Sequence, residues 1–189
     1  MRKVRKTNRQ PKGEAFMAFD IGSTSIKLCI AQVQGRSITI ERLVETPLPP
    51  NAVREGTLLE PDTVAKALRE TLQQAGKHPK AAVLTIAGPH TTARPVRLPP
   101  MPVEVLEKSI QFEAGRYLPS AAEEHFIGFE VVEQGEEYLE ILLVAAPRAS
   151  TEAFIDLIEK HNIEVELVEL QPFAFWRAIQ TAYRGHTPP

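Results

Sequence analysis

The chain has 189 residues, 43% hydrophobic and 24% charged, with a formal net charge of −2. That length suits one compact domain or two small ones, and its sixteen scattered prolines and ten glycines exclude a low-complexity or collagen-like chain. It has no apolar run of the roughly 18 residues a spanning helix needs, no apolar stretch behind its basic N-terminus to make a secretory signal, and one cysteine, Cys29, which excludes an internal disulfide framework or a cysteine-rich zinc cluster. The expectation is a soluble cytoplasmic α/β protein.

The elements follow in order. Ala15-Phe16-Met17-Ala18-Phe19 is a short apolar run that stops at the turn-forming group Asp20-Ile21-Gly22-Ser23. Ile26 to Ala31 makes a second strand, Gln34-Gly35-Arg36 turns the chain, and Ile38-Thr39-Ile40 with Leu43-Val44 makes a third, ending at Pro47. Cys29 sits among apolar residues of the second strand and reads as a buried structural thiol. Pro47, Pro49, Pro50 and Asn51 mark a loop. A helix begins near Pro61-Asp62, where proline fits the first turn and the carboxylate suits the positive end of the dipole. Val64, Leu68, Leu72 and Ala75 recur at helical spacing, and Gly76 supplies a left-handed cap. Ala81 to Ala87 is an apolar strand, so residues 1–89 read β-β-β-α-β.

Thr92 to Leu98 then alternates as a half-buried strand, and Pro99-Pro100-Met101-Pro102 launches a helix through about Tyr117. Val105, Leu106, Ile110, Phe112 and Tyr117 are its candidate core residues, and Pro119 ends it. Phe126–Val132 and Tyr138–Ala146 flank a hairpin turn at Gln134-Gly135-Glu136. Phe154, Leu157 and Ile158 define another helix with Ser150 as candidate cap. Val165, Leu167 and Val168 make a final strand, and Pro172 opens a terminal helix with Phe173, Trp176 and Ile179.

Charge is unevenly spread. Arg2, Lys3, Arg5, Lys6, Arg9 and Lys12 give residues 1–13 a charge of +6 with no acidic residue; taking that from −2 leaves −8 for residues 14–189. An acidic body lacks the positive face that phosphate backbones need, so nucleic acid is not the expected partner. The basic segment reads as a solvated leader, with anionic lipid or RNA as its alternative contact, at about 1 kcal/mol per basic residue near an anionic membrane surface. Glu133, Glu136, Glu137 and Glu140, and Glu123-Glu124-His125, read as solvated surface. The five histidines have no zinc-ligand spacing, and neither Gly-x-Ser-x-Gly nor Gly-x-x-x-x-Gly-Lys occurs.

The strongest local constellation is Asp20-Ile21-Gly22-Ser23-Thr24-Ser25-Ile26-Lys27, between the first two strands. Backbone N–H groups and hydroxyls at such a tip can cradle phosphate oxygens. Lys27 can neutralise phosphate charge, and Asp20 can hold Mg²⁺ directly or through water. The same residues also make an ordinary polar hairpin tip whose hydroxyls satisfy their own backbone.

Asp-x-Gly-Ser/Thr-x-Ser/Thr-x-Lys at the first hairpin of a β-β-β-α-β unit resembles the first phosphate loop of the actin-like ATPase superfamily. The resemblance implies ATP and Mg²⁺ as ligands, with Asp20 as the magnesium-linked aspartate, Gly22, Ser23, Thr24 and Ser25 in the phosphate-wrapping turn, and Lys27 on phosphate. Two further segments narrow it: Arg94-Pro95-Val96-Arg97-Leu98-Pro99-Pro100-Met101-Pro102 and Ile110-Gln111-Phe112-Glu113-Ala114-Gly115-Arg116-Tyr117-Leu118-Pro119. They are similar to the inserted subdomain of the PilM family of type IV pilus assembly proteins, relatives of the cell-division protein FtsA. Gly56 with Glu60-Pro61, and Leu170-Gln171-Pro172-Phe173-Ala174, fit the same family, so the resemblance runs from about Ala15 to Ala182.

The implied fold is an actin-like (ribonuclease H-like) subdomain 1A carrying an inserted strand–helix–strand–strand subdomain of the 1C type. The implied division is a leader at 1–13, subdomain 1A at 14–89 plus 166–184, the insertion at 90–165, and a tail or linker start at 185–189. Asp20-Ile21-Gly22 is the sole Asp-x-Gly in the sequence, so the nucleotide site is expected to be half-formed, with weak or no ATP binding and no turnover. The resemblance implies a non-enzymatic scaffold on the cytoplasmic face of the inner membrane. Its partner is the N-terminal peptide of a PilN-like bitopic protein, held in a groove between the two subdomains, with the Val83–Ala87 strand end and the Met101 corner as candidate walls. Pilus motor ATPases and a homo-oligomer are further implied partners. An FtsA-like filament protein and a small-molecule kinase are the alternatives. Pro188-Pro189 after Gly185 reads as the start of a linker in a truncated or split product.

Overall fold

The computed structural model describes residues 15–35 and 37–182. The basic segment at 1–13 and the tail at 185–189 lie outside these residues. In chain order the elements are β1 (Ala15–Ile21), β2 (Ser25–Gln34), β3 (Ser37–Pro47), β4 (Val53–Arg54), β5 (Thr57–Leu58), α1 (Pro61–Ala75), β6 (Ala81–Ile86), β7 (Thr92–Leu98), α2 (Val103–Ala114), β8 (His125–Gln134), β9 (Leu139–Pro147), α3 (Arg148–Glu159), β10 (Glu164–Leu170) and α4 (Gln171–Ala182). They form two units, one running to Gly88 and resuming at Glu152, the other Pro89–Thr151.

The first unit is built on a five-stranded sheet in the order β10-β6-β1-β2-β3. β10, β6 and β1 are parallel, and β1, β2 and β3 form an antiparallel meander. Strict alternation sends Met17, Phe19, Ile26, Leu28, Ala82 and Leu84 to one face, all at most 2% exposed. There they meet Val64, Leu68 and Leu72 of α1 and Phe154, Leu157 and Ile158 of α3. Each large apolar side chain buried this way contributes about 1.5–3 kcal/mol before chain entropy is subtracted. α1 starts on Pro61 and stops at Gly76, whose φ of +71° ends the helix while its N–H donates to the Leu72 and Gln73 carbonyls.

Three features of this unit go beyond the sequence expectation. β3 is the single strand ending at Pro47 that the sequence suggests, but an irregularity opposite Ile30/Ala31 takes Glu41 out of register. The loop after Pro47 contains the β4–β5 hairpin, whose tip residues Glu55 (φ +51°) and Gly56 (φ +73°) are both left-handed, as a two-residue I′-type turn demands. Third, the chain returns to this unit at Glu152 and not at residue 166. The periodicity of α3 shows an apolar stripe but not which sheet covers it; the structure buries that stripe in the first core. Ser150 does not cap α3, because the helix begins at Arg148 and the Ser150 hydroxyl donates weakly to the Pro147 carbonyl at 3.4 Å.

Cys29 is half-buried, not fully buried, on the sheet face opposite α1. Burial holds its thiol above the ordinary value by penalising the thiolate. Iodoacetamide alkylation of Cys29 should therefore be several-fold slower than that of a free thiol at pH 8, and accelerate only as pH rises beyond the usual thiol range. A rate equal to that of free cysteine after correction for access would contradict this.

The second unit has a three-stranded antiparallel sheet, β7-β9-β8, with α2 packed on it. Val96, Leu98, Leu106, Ile110, Ala114, Leu139, Ile141 and Leu143 form its core. Leu106, Ile110 and Ala114 lie four apart on one helical stripe. Val105 and Phe112, expected in the core, belong to the neighbouring stripe and are 50% and 71% exposed. α2 stops at Ala114, three residues before Tyr117, which packs from the following turn. The acidic residues here are not all solvated surface: Glu140 takes a 2.8 Å bond from Arg97 Nε across the β7–β9 ladder, with Arg97 stacked 4.7 Å over Tyr138. His125 is 2% exposed, with Nδ1 3.1 Å from the Ala121 carbonyl. Among the described residues no helix is long and apolar enough to cross a membrane.

Candidate functional site

The Asp20–Lys27 segment forms the β1–β2 connection of the first unit, closed by the Ile21–Ile26 pair. Gly22 donates its N–H to the Ser25 carbonyl at 3.0 Å, and Leu48 donates to the Thr24 carbonyl at 2.8 Å, which ties the tip to the end of β3. Ser23 and Thr24 are exposed. A Cβ at Gly22 would meet the Ser25 carbonyl at an ordinary 3.6 Å, so the chain itself does not need glycine there.

Strand register assembles a polar row across the sheet face opposite α1. Asp20 pairs with Lys27 and with Thr85, Lys27 pairs with Glu45, and Thr85 pairs with Glu169. Asp20, Thr85 and Glu169 stand at the carboxyl ends of three parallel strands, the usual ligand side of such a sheet. The row carries three carboxylates (Asp20, Glu45, Glu169) and Lys27, with Arg177 of α4 ion-paired to Glu169. Gln171 Nε2 donates to both Asp20 oxygens, at 3.2 and 3.3 Å. Thr85 Oγ1 donates to the Phe19 carbonyl at 3.1 Å.

Of the predicted site residues, Asp20, Gly22, Ser23, Thr24 and Lys27 reach this face or its rim. Ser25 lies on the same side of β2 as Lys27 and is 4% exposed. Its Oγ donates to Glu45 Oε1 at 2.7 Å and accepts from Lys27 Nζ at 2.9 Å, so it braces Lys27. Sequence reasoning did not connect Glu45, Thr85 and Gln171 to the loop. Gln171 was legible as part of a motif, but only the parallel pairing of β10, β6 and β1 brings it to Asp20, 151 positions away.

A magnesium ion fits here only in company. No group of three or more His, Cys, Asp or Glu residues able to hold a metal occurs among the described residues. Asp20 therefore offers one carboxylate, which suits Mg²⁺ that keeps its waters and shares phosphate oxygens, and does not make a free-standing metal site.

The sequence model of the family described as type IV pilus assembly protein PilM matches residues 18–187. Among solved structures, a chain of a PilM–PilN type IV pilus biogenesis complex is similar with a TM-score of 0.77 at 22% identity, covering 88% of this chain and 50% of that one. The cytoplasmic domain of EpsL, an inner-membrane component of the type II secretion system of Vibrio cholerae, is similar with a TM-score of 0.53 at 14% identity, covering 82% of this chain and 57% of that one. This chain thus spans about half the length of these two chains. At these identities the likeness speaks for the fold alone, a mixed α/β sheet with an inserted unit. With the family match running from Ala18 nearly to the last residue, this chain belongs to the type IV pilus assembly protein PilM family.

Proposed function

We propose that this chain is a non-enzymatic scaffold of type IV pilus assembly, working at the cytoplasmic face of the inner membrane. Its proposed partner is the cytoplasmic N-terminal peptide of a PilN-like bitopic protein, with pilus motor ATPases as further partners. The supporting observation is the family match over residues 18–187, joined by the likeness to a chain whose complex pairs PilM with PilN. Ordering a flexible peptide costs several kcal/mol, so a few apolar anchors should leave an affinity near micromolar, about −8 kcal/mol.

The polar row serves in this reading as half of a nucleotide site. Asp20 would hold magnesium with phosphate oxygens and water, Gly22, Ser23 and Thr24 would wrap phosphate, and Lys27 would offset its charge. Phosphoryl transfer needs the nucleotide held and oriented from both sides, and a single Asp-x-Gly loop supplies one side. Mg·ATP should therefore bind weakly and remain intact.

Calorimetric titration tests both parts. The PilN-like N-terminal peptide should bind in the micromolar range, and Mg·ATP should give millimolar binding or none. Absence of peptide binding by a folded sample would sink the scaffold reading. Tight Mg·ATP binding, weakened tenfold or more by Asp20→Ala, would instead show a nucleotide-competent half and overturn the non-enzymatic reading.

A further inference from the structure

We infer that Glu45 is a specificity-determining residue of the Asp20–Lys27 loop, an internal counter-anion that competes with phosphate for Lys27. This rests on reading the loop as a phosphate half-site. The geometry is specific. Glu45 stands directly opposite Lys27 on the β2–β3 ladder, and its Oε1 lies 3.8 Å from Lys27 Nζ. The buried Ser25 hydroxyl locks the pair: its one proton goes to Glu45 Oε1 at 2.7 Å, and its oxygen takes a proton of the ammonium at 2.9 Å.

On its other side Lys27 faces Asp20 in register, so the one cation of the loop is flanked by two carboxylates. Asp20 is partly occupied by Gln171 and suits a magnesium ion. Glu45 has no such use. A phosphate group reaching for Lys27 must displace or share this contact, and meets a second negative charge as it does so. The arrangement penalises polyphosphates more than singly charged ligands. It gives weak nucleotide binding a physical cause that lies within the loop's own sheet.

The side chains of Lys27 and Glu45 are 51% and 61% exposed, so solvent screens their attraction and the effect is modest. Glu45→Gln, which keeps an oxygen for Ser25 to donate to, should raise affinity for Mg·ATP and for inorganic triphosphate about two- to fivefold. Backbone amide shifts of residues 22–27 read binding at millimolar ligand. Glu41→Gln, an exposed substitution on the same strand, controls for net charge and should give less than half of that gain. Glu45→Gln combined with Lys27→Met should lose the gain altogether.

A gain that appears in Glu45→Gln and disappears in the double variant supports the inference. It is also supported when the wild type shows no binding and Glu45→Gln does. Equal affinities for wild type and Glu45→Gln, or an equal gain from Glu41→Gln, overturn the role of Glu45 and leave the phosphate reading standing. Absence of any shift in every variant at saturating triphosphate overturns both.

Discussion

Replacing Leu106 with alanine should melt the inserted unit while the five-stranded sheet stays folded. Leu106 is 0% exposed and sits at the centre of the eight-residue core of the second unit. Truncating a buried leucine costs about 2–5 kcal/mol, because the transfer energy is lost and a cavity remains. Pro89–Thr151 is 63 residues, and a unit of that size is stable by only about 3–9 kcal/mol. The substitution therefore consumes much or all of its stability. Hydrogen exchange resolved by residue should show amides of α2, β7, β8 and β9 losing protection, while those of β1, β2 and β6 keep theirs. Equal loss in both sets would mean that the two units fold as one, contrary to their separate cores.

The second large effect is expected from Gly56→Ala. Gly56 has φ +73°, so a side chain there pays about 1–2 kcal/mol for the left-handed conformation. It also has nowhere to go: a Cβ would lie 2.3 Å from the Ala87 carbonyl oxygen, a backbone atom that cannot rotate away. The partner contact is reciprocal, since a Cβ on Gly88 (φ +153°) would lie 2.8 Å from the Glu55 carbonyl. The β4–β5 hairpin tip and the chain leaving β6 approach backbone to backbone. A loss of more than about 3 kcal/mol in denaturant unfolding is expected, with amide shifts at Thr85 and Ile86. Gly35→Ala is the matched control, because Gly35 has φ +61° with nothing within 4 Å of its added Cβ. It should cost only the left-handed strain of about 1–2 kcal/mol. Equal losses at the two positions would show that the clash at Gly56 is relieved by a small hairpin shift.

Both effects were partly visible in the residues. Leu106 and Ile110 are among the candidate core residues of the helix, and Gly56 enters with the family resemblance. The depth of each effect was not visible. Whether position 106 or 105 is buried depends on which stripe of α2 meets the sheet, and the alternation of β7 and β9 decides that. The clash at Gly56 depends on Ala87, 31 positions on, reached through α1 and β6.

Element types and most of their order are determined by the sequence itself, because they rest on local physics. Two-residue alternation, helical spacing, proline at a first turn and glycine at a cap each act within a few residues. The Asp20–Lys27 loop was legible for the same reason: its glycine, hydroxyls, carboxylate and ammonium are contiguous. Only the tertiary structure decided that α3 belongs to the first core, that the Ser25 hydroxyl is held between Glu45 and Lys27, and that Glu45, Thr85 and Gln171 complete the polar row. Those are consequences of strand pairing between distant segments, and no residue carries, within its own neighbourhood, a record of the strand it will lie beside.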